Sequence, residues 1–258
     1  MEKININKKS PLKDSPLHVA GQSIDEQIKD YMYNEASPLF YLIAFLFITI
    51  ALIWLTWFLK IIYLPLVISI IAAAGVIYSV IRLSILKIRI KNLVLARNGE
   101  RIVAEVLDNL RNKGYIVFHD IIDKNFNIDH AVLTPNGIFT IETKTYSKPP
   151  KGEIILKDEN IIIGSMNTGK KIIMQAESQA KWLHSMLSES TGISYHIMPV
   201  VVFPGWFVNP MPESLKKKVW VLNPEALSSF IENEPIRLKD NDMHMAAFHL
   251  SRYIRIFG

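Results

Sequence analysis

Two uncharged runs govern what this chain can fold into. Residues 39–59 and 61–81 each hold 21 residues without a formal charge, separated by Lys60 and closed by Arg82. A helix rising about 1.5 Å per residue needs roughly 20 residues to cross a hydrocarbon core of about 30 Å. Neither run has a polar face, so two buried helices of a soluble core fit the pattern poorly. The runs also explain a mean hydropathy of +0.20, high for a purely soluble chain. They predict an α-helical transmembrane hairpin. Pro65 falls in the first turn of its second helix, where a missing N–H costs least.

Flanking charge sets the expected orientation. Arg82, Lys87, Arg89, Lys91, Arg97 and Arg101 follow the second run, Lys29 precedes the first, and Lys60 stands alone between them. Basic residues stay on the cytoplasmic side, so both termini are expected there, with the short loop from Lys60 to Leu64 outside an inner or plasma membrane. The chain divides into a mostly flexible cytosolic arm (1–36), two spans (37–82), a basic juxtamembrane helix (83–97) and a soluble domain (98–258). In the arm, Ser23-Ile-Asp-Glu26 matches a capping box, and residues 23–33 form an amphipathic stretch. With some 38 mostly polar residues before the first run, a cleaved signal peptide is not expected. The chain has no cysteine, which excludes disulfides, thiolate zinc sites and cysteine nucleophiles. Its seven histidines show no HExxH-type spacing.

Chemistry concentrates in one hairpin of the soluble domain. Asp129-His-Ala-Val-Leu-Thr leads into Pro135-Asn136-Gly137 and out through Ile138-Phe-Thr-Ile-Glu142-Thr-Lys144. Asn-Gly between β-branched runs predicts a type I′ turn. That turn pairs Pro135 with Ile138 and Asp129 with Lys144, and period-2 alternation gathers Asp129, Glu142 and Lys144 on one face. Asp129 and Glu142 then become diagonal neighbours, Cβ atoms roughly 7 Å apart. Two such carboxylates suit one divalent cation with oxygen ligands at about 2.1 Å. Val132, Phe139 and Ile141 form the opposite, core-facing set. A three-residue loop would flip this register, and an ordinary solvated Asp–Lys ion pair is the bland alternative.

Around the hairpin, the pattern reads as alternating helices and strands. Glu100, Val103, Leu107 and Leu110 make one stripe of a helix that opens the soluble domain. Glu100 there serves either as favourable charge in a first helical turn or as a third carboxylate of the site. Glu105 falls off the stripe. Strands are expected at 116–122, in two segments after Lys151, at 196–203 and at 219–222. Helices are expected at 170–187, with Gln175 and Gln179 one turn apart beside its buried face, and at 241–254. The result is an α/β sandwich about a mixed sheet.

Gly99-Glu100 at a helix start, Asn127-Ile-Asp129-His130, Pro135-Asn-Gly137, Ile141-Glu142-Thr-Lys144 and Gln175-Ala resemble the NERD (nuclease-related domain) family of the PD-(D/E)xK nuclease superfamily. The resemblance covers Asn98 to the C terminus. Its specific motifs lie in the first half, and the tract before Gln175 lacks the Asn-Pro pair often found there. It implies a restriction-endonuclease-like mixed sheet flanked by helices. It also implies Asp129 and Glu142 as metal ligands, Lys144 as catalytic lysine, Glu100 as the acid of the first helix and Gln175 as the glutamine of the later one.

Those residue types suit phosphodiester hydrolysis with Mg²⁺ or Mn²⁺, where a cation activates water and neutralises phosphate charge and an ammonium stabilises the transition state. The expected activity is a membrane-anchored, metal-dependent endonuclease acting on DNA at the cytoplasmic side. The alternative is a non-catalytic module that binds nucleic acid or protein while tethered to a membrane assembly. The net charge of +5 decides little, because juxtamembrane lysines also serve topology and anionic lipids. No pattern in the chain identifies a homo-oligomer or a partner within a membrane complex.

Overall fold

The computed structural model describes residues 19–60, 65–123, 126–147, 152–157, 160–168, 170–210, 212 and 216–257. The expected outside loop at 61–64 and the start of the arm lie outside these residues. The chain forms two compact units, Gln22–Asn98 and a second built mainly from Gly99–Gly258.

The first unit is helical. Helix α1 (Gln22–Asp30) passes through a π-helical turn (Tyr31–Ala36) into α2 (Ser37–Phe58), so the amphipathic stretch at 23–33 is helical and the arm is ordered over residues 22–36. Ser23 lies within the first turn of α1 rather than at its cap, so the capping-box reading fails. No residue of α2 is buried, and Phe45 and Phe58 are 65% and 75% exposed. Helix α3 (Pro65–Arg111) opens on Pro65, as the sequence predicts. Small residues let α2 and α3 approach: Ala72 and Ser79 are buried, and a Cβ at Gly75 would lie 2.7 Å from Leu46 Cδ1. Close contact at small residues is how apolar helices associate without a hydrophobic drive between them. Two helices are thus long and apolar enough to cross a membrane.

The second unit is mixed α/β. Strands β1 (Ile116–Ile122), β2 (Asn127–Thr134) and β3 (Gly137–Thr143) form an antiparallel meander. Strands β4 (Glu153–Lys157), β5 (Asn160–Ile163) and β6 (Met166–Asn167) follow, then α4 (Lys171–Thr191) and β7 (Ile197–Val202). After β8 (Phe207–Val208) and β9 (Trp220–Leu222) come α5 (Leu227–Glu232) and α6 (Asp240–Phe257). The main sheet has the order β1-β2-β3-β7-β9, with β7 and β9 parallel to β3; a smaller sheet has the order β6-β5-β4-β8. This is the mixed, helix-flanked α/β architecture predicted from the element order.

Both faces of the main sheet are covered by apolar helix faces. Val103, Leu107 and Leu110 of α3, all fully buried, pack with Val132, Phe139 and Ile141. On the other face, Leu183 and Leu187 of α4 and Ala246 and Leu250 of α6 pack with Phe118, Ala131 and Ile138. Pro199 sits within β7, where a missing N–H would normally break a ladder. Phe203 N bonds Leu222 O, so odd positions of β7 face β9. The β9 ladder begins only at Val200↔Trp220, leaving Pro199 on an open stretch.

The hairpin register differs from the type I′ reading. Thr134 pairs with Gly137 and His130 with Ile141, so the two turn residues are Pro135 and Asn136. Gly137 has φ +143° while Asn136 is not left-handed. The reason is local: proline suits the first central position of an ordinary turn, Thr134 Oγ1 accepts from Asn136 N at 3.1 Å, and the Asn136 side chain donates to Glu234 O. The shift is two residues, so every side chain keeps its predicted face.

Candidate active site

Continuing the β2–β3 ladder one step past His130↔Ile141 brings Asp129 level with Glu142 instead of Lys144. The two carboxylates are therefore direct rather than diagonal neighbours. Thr143 N donates to Asp129 Oδ2 at 2.7 Å, locking the acid against the end of β3. Both acids are buried.

Glu142 is the hub. Its Oε1 accepts from Lys144 Nζ at 2.5 Å and from Gln175 Nε2 at 2.8 Å. Its Oε2 accepts from Gln179 Nε2 at 2.5 Å. Lys144 Nζ also donates to Gln175 Oε1 at 3.0 Å, closing a ring of three side chains. Gln175 and Gln179 reach the site together because residues four apart share a helix face. Gln179 also donates to Asn127 O at 2.8 Å, tying α4 to the start of β2.

Glu100 arrives from α3. A Cβ at Gly99 would lie 2.5 Å from Thr145 Cγ2, so only glycine allows the helix this close to the segment after β3. Burial pushes Glu100 up to about 8, with the charges of Asp120 and Glu142 adding and Lys144 opposing. Its Oε2 is buried without a hydrogen-bond partner. Burial likewise holds Asp129 well above the usual carboxylate range, reinforced by Glu142 and Glu100. Burial alone would lower the Lys144 ammonium, but the Glu142 charge and hydrogen bond outweigh it and raise it.

The structure thus gathers Glu142, Lys144 and Gln175 in direct contact, with Asp129 and Glu100 close enough to feel their charges. Sequence reasoning missed Asp120 and gave Gln179 no role. Asp120 is fully buried, has φ +50°, and lies between the pairs His119↔His130 and Ile121↔Ile128, level with Asp129. A left-handed non-glycine residue in a strand costs about 1 kcal/mol or more. The available signal was its period-2 placement with Ile116 and Phe118, visible once the β1–β2 register is known. Behind the carboxylates, His119 Nδ1 and His130 Nδ1 lie 2.8 Å apart in the core.

Among the described residues, no group of three or more His, Asp or Glu side chains is placed to hold a metal ion. The donor set nevertheless suits a hard divalent cation. Four carboxylates are buried here, Glu100, Asp120, Asp129 and Glu142; Asp120 and Glu142 raise the pKa of Glu100, and Lys144 opposes the rise at Glu100 and Asp129. Two of them are held towards the neutral form by burial and mutual repulsion, and one buried oxygen lacks a partner.

Residues 95–204 match the family model of the nuclease-related domain, NERD. No curated protein and no solved structure matches the chain.

Proposed function

We propose that this chain is a membrane-anchored, divalent-cation-dependent nuclease that hydrolyses DNA phosphodiesters on the cytoplasmic side. One observation carries the reading: the Glu142–Lys144–Gln175 ring, beside Asp129 and Glu100, falls inside a nuclease-related domain. Asp129 and Glu142 would hold Mg²⁺ or Mn²⁺, with Glu100 adjoining. When bound, the cation supplies Lewis acidity toward phosphate oxygens and neutralises the carboxylates.

The chain's own residues do the rest. Lys144 is held above its ordinary pKa, so it works as a fixed ammonium rather than a base. A charged donor aimed at developing phosphorane charge is worth far more in a buried site than in water. Gln175 steadies that ammonium through its carbonyl oxygen, and Gln179 fixes the other oxygen of Glu142. Glu100, at about 8 in the cation-free site, can exchange a proton near neutral pH. The anchor is supported by α2, whose apolar side chains are exposed rather than buried, unlike the core helix of a soluble protein.

Plasmid relaxation by the full chain in detergent, with Mg²⁺, Mn²⁺ or EDTA, tests the reading. An inert wild type under every metal sinks it. The second reading, a tethered non-catalytic binding module, is favoured by a specific observation. Both oxygens of Glu142 are already engaged, and no three-ligand cage is preformed among the described residues. Calorimetry with Mn²⁺ separates the two: the module binds nucleic acid but takes up no cation.

A further inference from the structure

The main sheet has a second chemical edge, away from the carboxylates. Parallel β3 and β7 place Ile138 beside Ile197 and Glu142 beside Val201. At about 3.3 Å per residue, the edge where these strands begin lies roughly 13 Å from the level of Glu142. Two adjoining cavities open there. One of about 810 Å³, between α4 and the start of β7, is lined by Lys181, His184, Ser194, His196 and Lys218. The other, about 610 Å³, shares His196 and adds Lys216, Lys217 and Arg237.

The charge balance of the pair is one-sided. Among the described lining residues, five cations (Lys181, Lys216, Lys217, Lys218, Arg237) meet two carboxylates, Glu177 and Glu234. Glu234 is itself engaged by Arg237 at 3.2 Å. Burial first, then Arg237, lowers the pKa of His196 at the shared wall, and the opposing effect of Glu234 is smaller. Ser194 and Ser185 add hydroxyl donors at the rim. This chemistry recognises phosphate.

Helix α4 joins this edge to the candidate active site. Lys171, Gln175, Ser178, Lys181 and Ser185 are all exposed, and their spacing of three and four residues puts them on one stripe. Gln175 touches Lys144 and Glu142, whereas Lys181 and Ser185 line the larger cavity. Six residues of helix span about 9 Å, so the stripe leads from the residues around Glu142 towards the cavities. We propose that the basic double cavity holds backbone phosphates of a nucleic-acid strand that runs along α4 from the phosphate attacked at Glu142 and Lys144. The proposal rests on the nuclease reading for its substrate. A lipid headgroup shares the phosphate chemistry, but it does not account for a stripe that includes Gln175, in contact with Lys144 and Glu142.

Fluorescence anisotropy of the full chain in detergent, with a short labelled DNA in EDTA, tests it without cleavage. Lys181→Glu/Lys218→Glu should weaken binding about 10-fold or more and flatten the log-affinity against log-salt slope by about 2, as expected for two lost phosphate contacts. Lys181→Gln/Lys218→Gln should give an intermediate loss, which guards against misfolding of the reversed variant. Mn²⁺ affinity should not change in either. Unchanged DNA affinity overturns the proposal. So does a loss confined to phosphatidylglycerol vesicles, which would make the cavity a lipid site. A wild type that binds DNA through these lysines but never cuts sinks the nuclease reading alone. A wild type that cuts and ignores the substitutions sinks this inference alone.

Discussion

Lys144 is held by two acceptors at once, Glu142 Oε1 and Gln175 Oε1, and an ammonium cannot ligate a cation. Lys144→Ala should therefore lower cleavage by about 100-fold or more, the scale of losing one transition-state donor, while Mn²⁺ affinity in calorimetry holds. Lys144→Arg should not rescue, because a planar guanidinium cannot place a point charge at the same spot. Cleavage by Lys144→Ala at the wild-type rate refutes the role. The histidine pair makes a separate prediction about acid. Burial, with Arg111 adding, lowers His119 from 6.5 to about 4, though Asp108 and Asp120 oppose. Burial and then His119 lower His130 well below its usual value. Folded pKa values below the unfolded ones mean that protons favour the unfolded chain. The pair's contribution is complete above about 6.5 and is lost as pH falls towards 4. Glu100 slopes the other way, its cost growing as pH rises from 4.5 to about 8. Thermal melts followed by tryptophan emission should show a maximum between these limits, with Mg²⁺ stabilising most on the alkaline side. His119→Phe/His130→Leu should flatten the acid limb, since replacing both partners of a buried pair leaves nothing unsatisfied. An unchanged acid limb in that variant rules out the pair as its source.

At the level of elements, the sequence made faces more legible than registers. The stripe Glu100, Val103, Leu107 and Leu110 is buried along its length, because helical periodicity is a strong local signal. The hairpin's two faces could also be read, since alternation survives a two-residue shift. Its register could not, because the turn is set by a distant acceptor, Glu234 O, that Asn136 finds only in the folded chain. Asp120 stayed hidden for a related reason: its partner position depends on how β1 pairs with β2, and no short turn signal marks that pairing. Gly99 shows how one element sets another's chemistry. Alanine in a helix interior is favoured over glycine by about 1 kcal/mol, so propensity alone predicts that Gly99→Ala stabilises. The 2.5 Å approach to Thr145 Cγ2 argues the reverse. A Cβ there moves α3 away from the end of β3 and takes Glu100 with it. Gly99→Val should cut activity and lower the melting temperature, and Gly99→Ala/Thr145→Ala should recover part of both. A single Gly99→Ala that melts higher and cuts normally would show that the close contact carries no function.

For the whole molecule, the decisive quantity is which side of a membrane holds the carboxylates. Seven basic residues flank the two apolar runs on what would be one side, and Lys60 alone stands on the other. A bias of that size in short flanks orients a helical hairpin with the charged side in the cytoplasm. The absence of native cysteine makes single-cysteine labelling clean. Lys60→Cys should react with a membrane-impermeant maleimide in intact cells. Lys157→Cys and Ser194→Cys, both within the segment that matches the nuclease-related domain, should react only after permeabilisation. Replacing Arg82, Lys87, Arg89 and Lys91 together by Gln removes more than half of the bias and should give mixed labelling at Lys60→Cys. Reaction of Lys157→Cys in intact cells would put Asp129, Glu142 and Lys144 outside, where cytoplasmic DNA cannot reach them. The nuclease chemistry would then need an extracellular substrate, and the cytoplasmic reading would fall even if the purified chain cuts DNA.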